Sequence, residues 1–278
     1  MELMLSSISR RILFISIILL MSACAAAAHA DDSGIQLSNI PNNGQDFSRP
    51  PPEFDLRYQY QRLPHKGNED IFTFRTQVPF QLSKEWIFGT RLDVPLGTGN
   101  TVAGDNPTGR WQFMMRDLLN SAYLAWLPND IFSFFAGSQF IWPTASFDQG
   151  GQGKYQILPF AGFRYFLHKI SPGSFILPWV QYATDYAGSA SRPSIMQVLL
   201  APSLNINLPR DYFIELYSSQ SIIYDFEAHG WEVPCNFMVG KVFNRKVIVS
   251  AEFFIPMFRT NKYEPYDFKV EFRAGYFF

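Results

Sequence analysis

Cysteine and histidine are scarce in this sequence, and their scarcity excludes several kinds of site. The 278 residues include two cysteines, Cys24 and Cys235, and four widely spaced histidines. A disulfide framework needs several cysteines that can pair, and zinc sites need Cys and His ligands at short spacings. We therefore expect no disulfide within the mature chain and no bound metal or cofactor.

Charge and long apolar runs are also limited. Charged side chains make up 17% of the chain, below the usual quarter. The 23 basic residues nearly balance the 24 acidic ones, so the net charge gives no indication of a nucleic-acid partner. After residue 21 no apolar run reaches the roughly 18 residues that a transmembrane helix needs. Aromatic residues, in contrast, reach 17%, which suits a protein with a lipid-facing surface.

Residues 1–30 have the organisation of a secretory signal peptide. Arg10 and Arg11 precede an apolar run over residues 12–21, and a small-x-small cleavage site lies at residues 28–30. The run is too short to cross a bilayer as a helix. One alternative stays open, because the residues before Cys24 loosely resemble a lipoprotein processing site that would leave Cys24 lipidated.

The last twelve residues alternate strictly between apolar and polar side chains. One face of an extended strand carries Phe268, Val270, Phe272, Ala274, Tyr276 and Phe278, and the other carries Lys269, Glu271, Arg273 and Gly275. A transmembrane β-strand needs roughly 9–11 residues with apolar side chains outward and aromatics near the interfaces. The segment resembles the closing strand of bacterial outer-membrane barrels. Phe272, Tyr276 and Phe278 are then the expected signal for the barrel-assembly machinery.

Eleven further segments have strand character, so the sequence predicts about twelve strands. They are Phe54–Gln61, Phe72–Leu82, Trp86–Leu96, Trp111–Leu127, Ile131–Trp142, Lys154–His168, Ser174–Ala187, Met196–Asn207, Tyr212–Asp225, Trp231–Phe243 and Val247–Phe258. Short polar connections alternate with longer ones, as periplasmic turns and extracellular loops do. The predicted fold is an all-β, antiparallel, up-and-down transmembrane barrel over residues 53–278, surrounded by outer-membrane lipid. A soluble β-sandwich shows the same alternation within strands, but the signal peptide, loop lengths and terminal Phe favour the barrel.

Residues 31–52 separate the signal peptide from the first strand. They are rich in Asn, Ser, Asp and Pro and have no periodicity. Such a segment is expected to be a disordered N-terminal arm, with the barrel mouth as one place into which it can fold.

Charged residues on the polar faces of the strands are candidates for the interior of the barrel. They are Asp55, Arg57, Arg75, Arg91, Asp93, Arg164, Asp185, Glu215, Lys269, Glu271 and Arg273. A charge that faces lipid near the bilayer midplane costs roughly 2–4 kcal/mol, so these side chains are expected to face the lumen. Two interpretations stay open: a polar pathway for solutes, or a salt-bridged network that fills and stiffens a narrow barrel.

Large aromatic residues share the polar face at several positions. In a strand, residues an even number of positions apart share a face. Phe160 therefore shares a face with Arg164, Trp179 with Asp185, and Phe277 with Arg273. Inward aromatic rings can form stacking surfaces for small aromatic solutes, or they can simply plug a narrow lumen.

Several short motifs resemble those of one family of outer-membrane proteins. They are Pro143-Thr144-Ala145-Ser146, Gly153-Lys154-Tyr155, Ser191-Arg192-Pro193 to Gln197, Pro202 to Leu208, and Trp231-Glu232-Val233-Pro234 leading to Gly240-Lys241-Val242-Phe243. The family comprises transporter-like barrels labelled "MetA-pathway of phenol degradation", and the resemblance covers roughly residues 55–278. It implies a small barrel for the passage of small, often aromatic or hydrophobic molecules.

The leading functional prediction is passive or facilitated passage of a small-molecule solute. The alternative is a non-transporting barrel with a structural or surface-loop role. An enzyme ranks third: the outer-membrane phospholipases also have twelve strands and use a Ser-His-Asn site. His65, His168 and His229 show no pairing with a serine of that kind, so we expect no catalysis.

Overall fold

The computed structural model describes residues 42–64, 67–102, 105–219, 221–260 and 265–278. The predicted signal peptide, Cys24 and the arm up to residue 41 lie outside these residues. The described strand segments are β1 (Glu53–Arg62), β2 (Asn68–Gln81), β3 (Trp86–Gly99), β4 (Gln112–Met115), β5 (Leu118–Trp126), β6 (Phe132–Trp142), β7 (Lys154–Phe166), β8 (Phe175–Gly188), β9 (Met196–Leu208), β10 (Tyr212–Leu216), β11 (Ile222–Asp225), β12 (Gly230–Phe243), β13 (Val247–Arg259) and β14 (Phe268–Phe277). Two single-turn 3-10 helices span Asp148–Gly150 and Pro209–Asp211.

The segments form one closed antiparallel sheet. Most segments pair with the segments next to them along the chain, and β1 pairs with β14 from Glu53–Phe277 to Arg62–Phe268. Two barrel positions are shared: β4 and β5 both pair with β3, and β10 and β11 both lie between β9 and β12. The 14 segments therefore fill 12 positions, and the predicted twelve-stranded up-and-down barrel is confirmed.

The barrel is apolar outside and polar inside. On β1, Phe54 and Leu56 expose 45% and 40% of their surface, whereas Glu53, Asp55 and Arg57 expose 1%, 0% and 6%. The inner face of a soluble sandwich would carry the apolar set instead. An outward apolar band around a polar interior is the pattern of a membrane-spanning barrel. Among the described residues, no helix is both long and apolar enough to cross a bilayer.

The two ends of the barrel differ. The start of β1, the end of β14 and the short turns, such as 82–85 and 244–246, lie at one end, which we call the terminal end; the longer connections lie at the other, the loop end. Neighbouring rings pack closely near the terminal end. The ring of Tyr123 lies where a Cβ at Gly89 would stand, and a Cβ at Gly137 would meet Tyr123 Cβ and the Ala122 carbonyl, so glycine at both positions lets the neighbouring strands pack against Tyr123.

The C-terminal residue completes the seam between β1 and β14. The Phe278 N–H donates to the carbonyl of Pro52 at 3.0 Å, and the Phe278 ring stands edge-on to that of Tyr276 at 5.6 Å. Phe272, Tyr276 and Phe278 all point outward, at 49%, 42% and 63% exposure.

We expect deletion of Phe278 to reduce assembly while leaving secretion intact. The deletion removes the last outward aromatic side chain of the closing strand, and the seam must pair in register for the barrel to close. Heat-modifiable migration of membrane fractions measures the folded share. Replacement of Phe243 is the matched control, because it is also an outward aromatic residue at the end of a strand, β12, beside the turn 244–246. A normal yield of folded barrel from the truncated chain would refute the assembly role.

Candidate functional site

The N-terminal arm runs inside the barrel. Its described part, residues 42–52, forms no helix or strand, yet Asn43, Asp46 and Ser48 expose only 3%, 4% and 0% of their surface. Residues 50–52 are prolines that lead directly into Glu53, so the arm enters from the terminal end. The arm was predicted to be disordered, with the barrel mouth as one place into which it can fold; in the structure residues 42–49 pack against the inner wall.

Short side chains hold the arm in a compact shape. The Asn42 side-chain oxygen accepts the Gly44 N–H at 2.8 Å, and the Asp46 carboxylate accepts the Ser48 N–H at 2.9 Å. The Arg49 N–H donates to the Asp46 carbonyl at 3.0 Å. Asn and Asp commonly stabilise such turns by bonding to the backbone two residues ahead. The arm thus has a defined local structure without a helix or strand.

Polar contacts tie the arm to three parts of the wall. Arg164 Nη1 donates to Asp46 Oδ2 at 2.8 Å, and Arg273 Nη1 donates to the Asn43 carbonyl at 2.8 Å. The Asn43 amide donates to Glu215 Oε2, also at 2.8 Å. These wall residues come from β7, β14 and β10, so the arm bridges the lumen.

The ring of Phe47 fills a pocket of aromatic side chains. Its centroid lies 5.0 Å from Trp179, 5.4 Å from Phe135, 5.6 Å from Tyr123 and 6.0 Å from Phe160. We call these four wall residues the aromatic seat. Tilted, stacked and edge-on pairs at such separations stabilise by about 0.5–1.5 kcal/mol beyond burial. The seat belongs to a larger buried apolar cluster near the terminal end.

A charge network lines the wall formed by β1 and β14. Arg273 bonds Glu53 at 2.9 Å and Asp55 at 2.7 Å. Arg57 bonds Asp55 at 3.0 Å and Glu271 at 2.8 Å. The five side chains thus form one network in which negative and positive charges alternate. Attraction between neighbouring charges offsets the cost of removing each of them from water.

A second cluster lies beside it on β2 and β3. Arg75 binds Asp93 through two nitrogens, at 2.8 and 2.6 Å, and Arg91 Nε lies 3.4 Å from the same carboxylate. Bidentate guanidinium–carboxylate pairs fix geometry as well as charge. The surplus positive charge of this cluster faces the arm, since Arg75 and Arg91 adjoin a small gap lined by residues 44–47.

Eleven of the residues predicted to face the lumen are buried or half-buried, on the side of their strands opposite the exposed apolar residues. These residues are Asp55, Arg57, Arg75, Arg91, Asp93, Phe160, Arg164, Trp179, Lys269, Glu271 and Arg273. They divide into the two charge clusters, the aromatic seat with Arg164, and Lys269, whose ammonium lies 3.6 Å from the centre of the Phe254 ring.

A vestibule of about 380 Å³ opens toward the loop end. Its lining includes Asp93, Arg116, Asp117, Gln152 and Gln156. The connection 143–153 folds inward to form one side, because the Asp117 carboxylate accepts the Gln152 N–H at 2.8 Å. The vestibule wall therefore carries charges of both signs and several amides.

Sequence reasoning missed the arm residues, the vestibule pair Arg116 and Asp117, and Glu53. Glu53 lies two residues before Asp55 and so shares its strand face; extension of the β1 pattern by two residues would have predicted that Glu53 also points inward. Phe47, the one aromatic residue in the sequence of the arm, was the signal for an inward anchor. Arg116 and Asp117 lie at the break between β4 and β5, where strand alternation gives no information.

The histidines form no cluster in the described structure. His168 packs its ring 5.0 Å from that of Phe166 near the terminal end, and His65 lies outside the described residues. No group of three or more His, Cys, Asp or Glu side chains within the described residues has the arrangement of a metal site. The absence of catalysis stays a prediction.

Comparison with solved structures identifies the fold. The COG4313 outer membrane channel from Pseudomonas putida F1 superposes with a TM-score of 0.64 and 14% identity, over 88% of this chain and 100% of that one. The KdgM porin gives 0.47 at 11% identity, covering 81% and 99%. Phospholipase A from the outer membrane of Escherichia coli gives 0.46 at 8%, covering 86% and 97%. At 14% identity, the first superposition supports the fold alone. No family model and no curated protein matches the sequence.

Proposed function

We propose that this protein is a channel of the bacterial outer membrane for passive passage of small solutes, with the N-terminal arm as its plug. The observation that carries the proposal is the arm itself, held in the lumen by non-covalent contacts below a vestibule of about 380 Å³. A barrel with only a structural role needs no vestibule. The terminal end then faces the periplasm, and the loop end faces outward.

The finer proposal concerns the cargo. The aromatic seat supports small aromatic or hydrophobic solutes, which is also what the resemblance to the "MetA-pathway of phenol degradation" family implies. Phe160 and Trp179 then act as stacking surfaces among hydrogen-bonding groups. In the described structure Phe47 occupies that surface.

A second candidate function has one observation in its favour. Arg273 and Arg75 each pair with carboxylates of their own cluster, as the charges of a network that stiffens a non-transporting barrel would. The two candidates differ in whether solute crosses a membrane that contains the protein.

Swelling of vesicles that contain the purified full-length protein tests the proposal. We expect arabinose to enter faster than in protein-free vesicles, and raffinose to enter much more slowly than arabinose, because the lumen of a twelve-stranded barrel is narrower than that of the large porins. The arm-deleted protein serves as the second sample. If neither protein admits arabinose although both are folded, the structural role replaces the channel.

A further inference from the structure

Two neighbouring arm residues together have the chemistry of a small aromatic acid. Asp46 presents a carboxylate to Arg164, and Phe47 presents a phenyl ring to the aromatic seat. No covalent bond fixes either group to the wall. The arm therefore occupies its place as an internal ligand would.

Arg164 has more hydrogen-bonding capacity than the arm uses. Its side chain is fully buried and donates to Asp46 through Nη1 alone. Within the described part of the chain, Nε and Nη2 have no hydrogen-bond partner. The guanidinium is held in place by Phe166, whose ring centre lies 3.9 Å away. A fixed guanidinium with free donors is suited to bidentate binding of a carboxylate.

The strand that carries Arg164 also sets its distance from the seat. Phe160, Gly162 and Arg164 face the lumen in turn, and Gly162 pairs with Phe135 on one side and Trp179 on the other. A Cβ at Gly162 would stand 2.5 Å from both neighbours, so glycine leaves room for the two rings. Arg164 lies two residues further along, about 6.6 Å at the usual rise of a strand. A phenyl ring and a carboxylate joined by two or three carbons span such a distance.

We propose that the aromatic seat and Arg164 form a binding site for small aromatic carboxylates, which compete with Asp46 and Phe47 and so release the plug. The inference rests on the proposed channel function and specifies its cargo. Since the arm occupies the site, the apparent affinity for the acid equals the intrinsic affinity multiplied by the fraction of molecules with the arm displaced. The same competition makes the solute itself the agent that opens the lumen.

Calorimetric titration of the folded full-length protein in micelles tests the site with 3-phenylpropanoate and its neutral amide. We expect the acid to bind the Asp46→Asn/Phe47→Ala protein about tenfold more tightly than the native one, because the competing arm is weakened. In that variant the amide should bind roughly tenfold or more weakly than the acid, since it cannot form charge-assisted hydrogen bonds. Equal affinities for acid and amide, or no gain from weakening the arm, would overturn the proposal.

A change at Arg164 in the same background isolates the carboxylate contact. Arg164→Gln should abolish the preference for acid over amide, and Arg164→Lys should keep part of it. Arg62→Gln is the matched control, because that side chain is 59% exposed at the loop end and should leave the preference unchanged. A preference that survives Arg164→Gln in a heat-modifiable, folded barrel would also overturn the proposal.

Vesicle swelling separates this inference from the channel function. Arabinose uptake without acid binding removes only the aromatic-carboxylate site. Acid binding without arabinose uptake by either the native or the arm-deleted protein removes the channel and leaves the site without a transport role.

Discussion

Deletion of residues 31–49 is expected to raise the single-channel conductance of the barrel severalfold. The deletion leaves the signal peptide to deliver the chain and keeps the three prolines that lead into Glu53. It removes the ring of Phe47 from the seat and the Asn43 and Asp46 side chains from the lumen, where they expose only 3% and 4% of their surface. Planar bilayer recordings of the purified protein measure the change.

Smaller changes to the arm should give an intermediate result. Phe47→Ala removes the ring that contacts all four seat residues, so we expect more frequent openings at a conductance between those of the native and deleted proteins. Phe113→Ala removes the same ring from a side chain that is 67% exposed on the outside of the barrel, and it should change neither quantity. A deleted protein that folds and yet conducts like the native one would contradict the plug.

The shell of the barrel could be predicted from the sequence because a strand in a membrane repeats every two residues. Lipid outside and charges inside impose that period on each strand separately. The inward or outward direction of each side chain from Phe268 to Phe278 can therefore be predicted without knowledge of the neighbouring strands. The interior position of Arg57 or Asp93 follows from the same rule. Only the pairing of these charges required the structure, since Arg57 and Glu271 are 214 residues apart.

The arm could not be predicted in the same way. It has no period, and its contacts link distant positions: Asp46 bonds Arg164 across 118 residues, and Asn43 bonds Glu215 across 172. Local sequence therefore indicates only that the arm is rich in the residues that favour turns. Its location depends on the presence of a lumen with a seat for Phe47, which exists only after twelve strands have closed.

The contacts of the arm are of a kind that can be exchanged. Breaking a buried ion pair in a dry interior costs several kcal/mol because the remaining charge has no partner. When the arm leaves the lumen, water can replace Asp46 at Arg164, and a water-mediated bond is nearly as favourable as a direct one. The same guanidinium can thus hold the plug, water or an anionic solute in turn.

Arg273 differs from Arg164 because two of its three contacts are with carboxylates of the wall. Its nitrogens contact Glu53 at 2.9 Å, Asp55 at 2.7 Å and the Asn43 carbonyl at 2.8 Å, and the side chain is 1% exposed. Arg273→Gln would leave the Glu53 carboxylate without its cation and remove one of the two partners of Asp55. Loss of one partner from a buried network typically costs about 3–5 kcal/mol of folding free energy.

We therefore expect Arg273→Gln to lower the free energy of unfolding by about 3–5 kcal/mol, measured by urea titration of the protein in lipid vesicles. Arg62→Gln is the matched control: its partner Asp267 lies 3.9 Å away, and its side chain is 59% exposed. Exposed pairs of this kind contribute about 0–1 kcal/mol. Because Arg273 also holds the Asn43 carbonyl, the variant should show more frequent channel openings at concentrations of urea that leave it folded. Equal losses of stability in the two variants would show that the network around Arg273 is hydrated and does not stiffen the barrel.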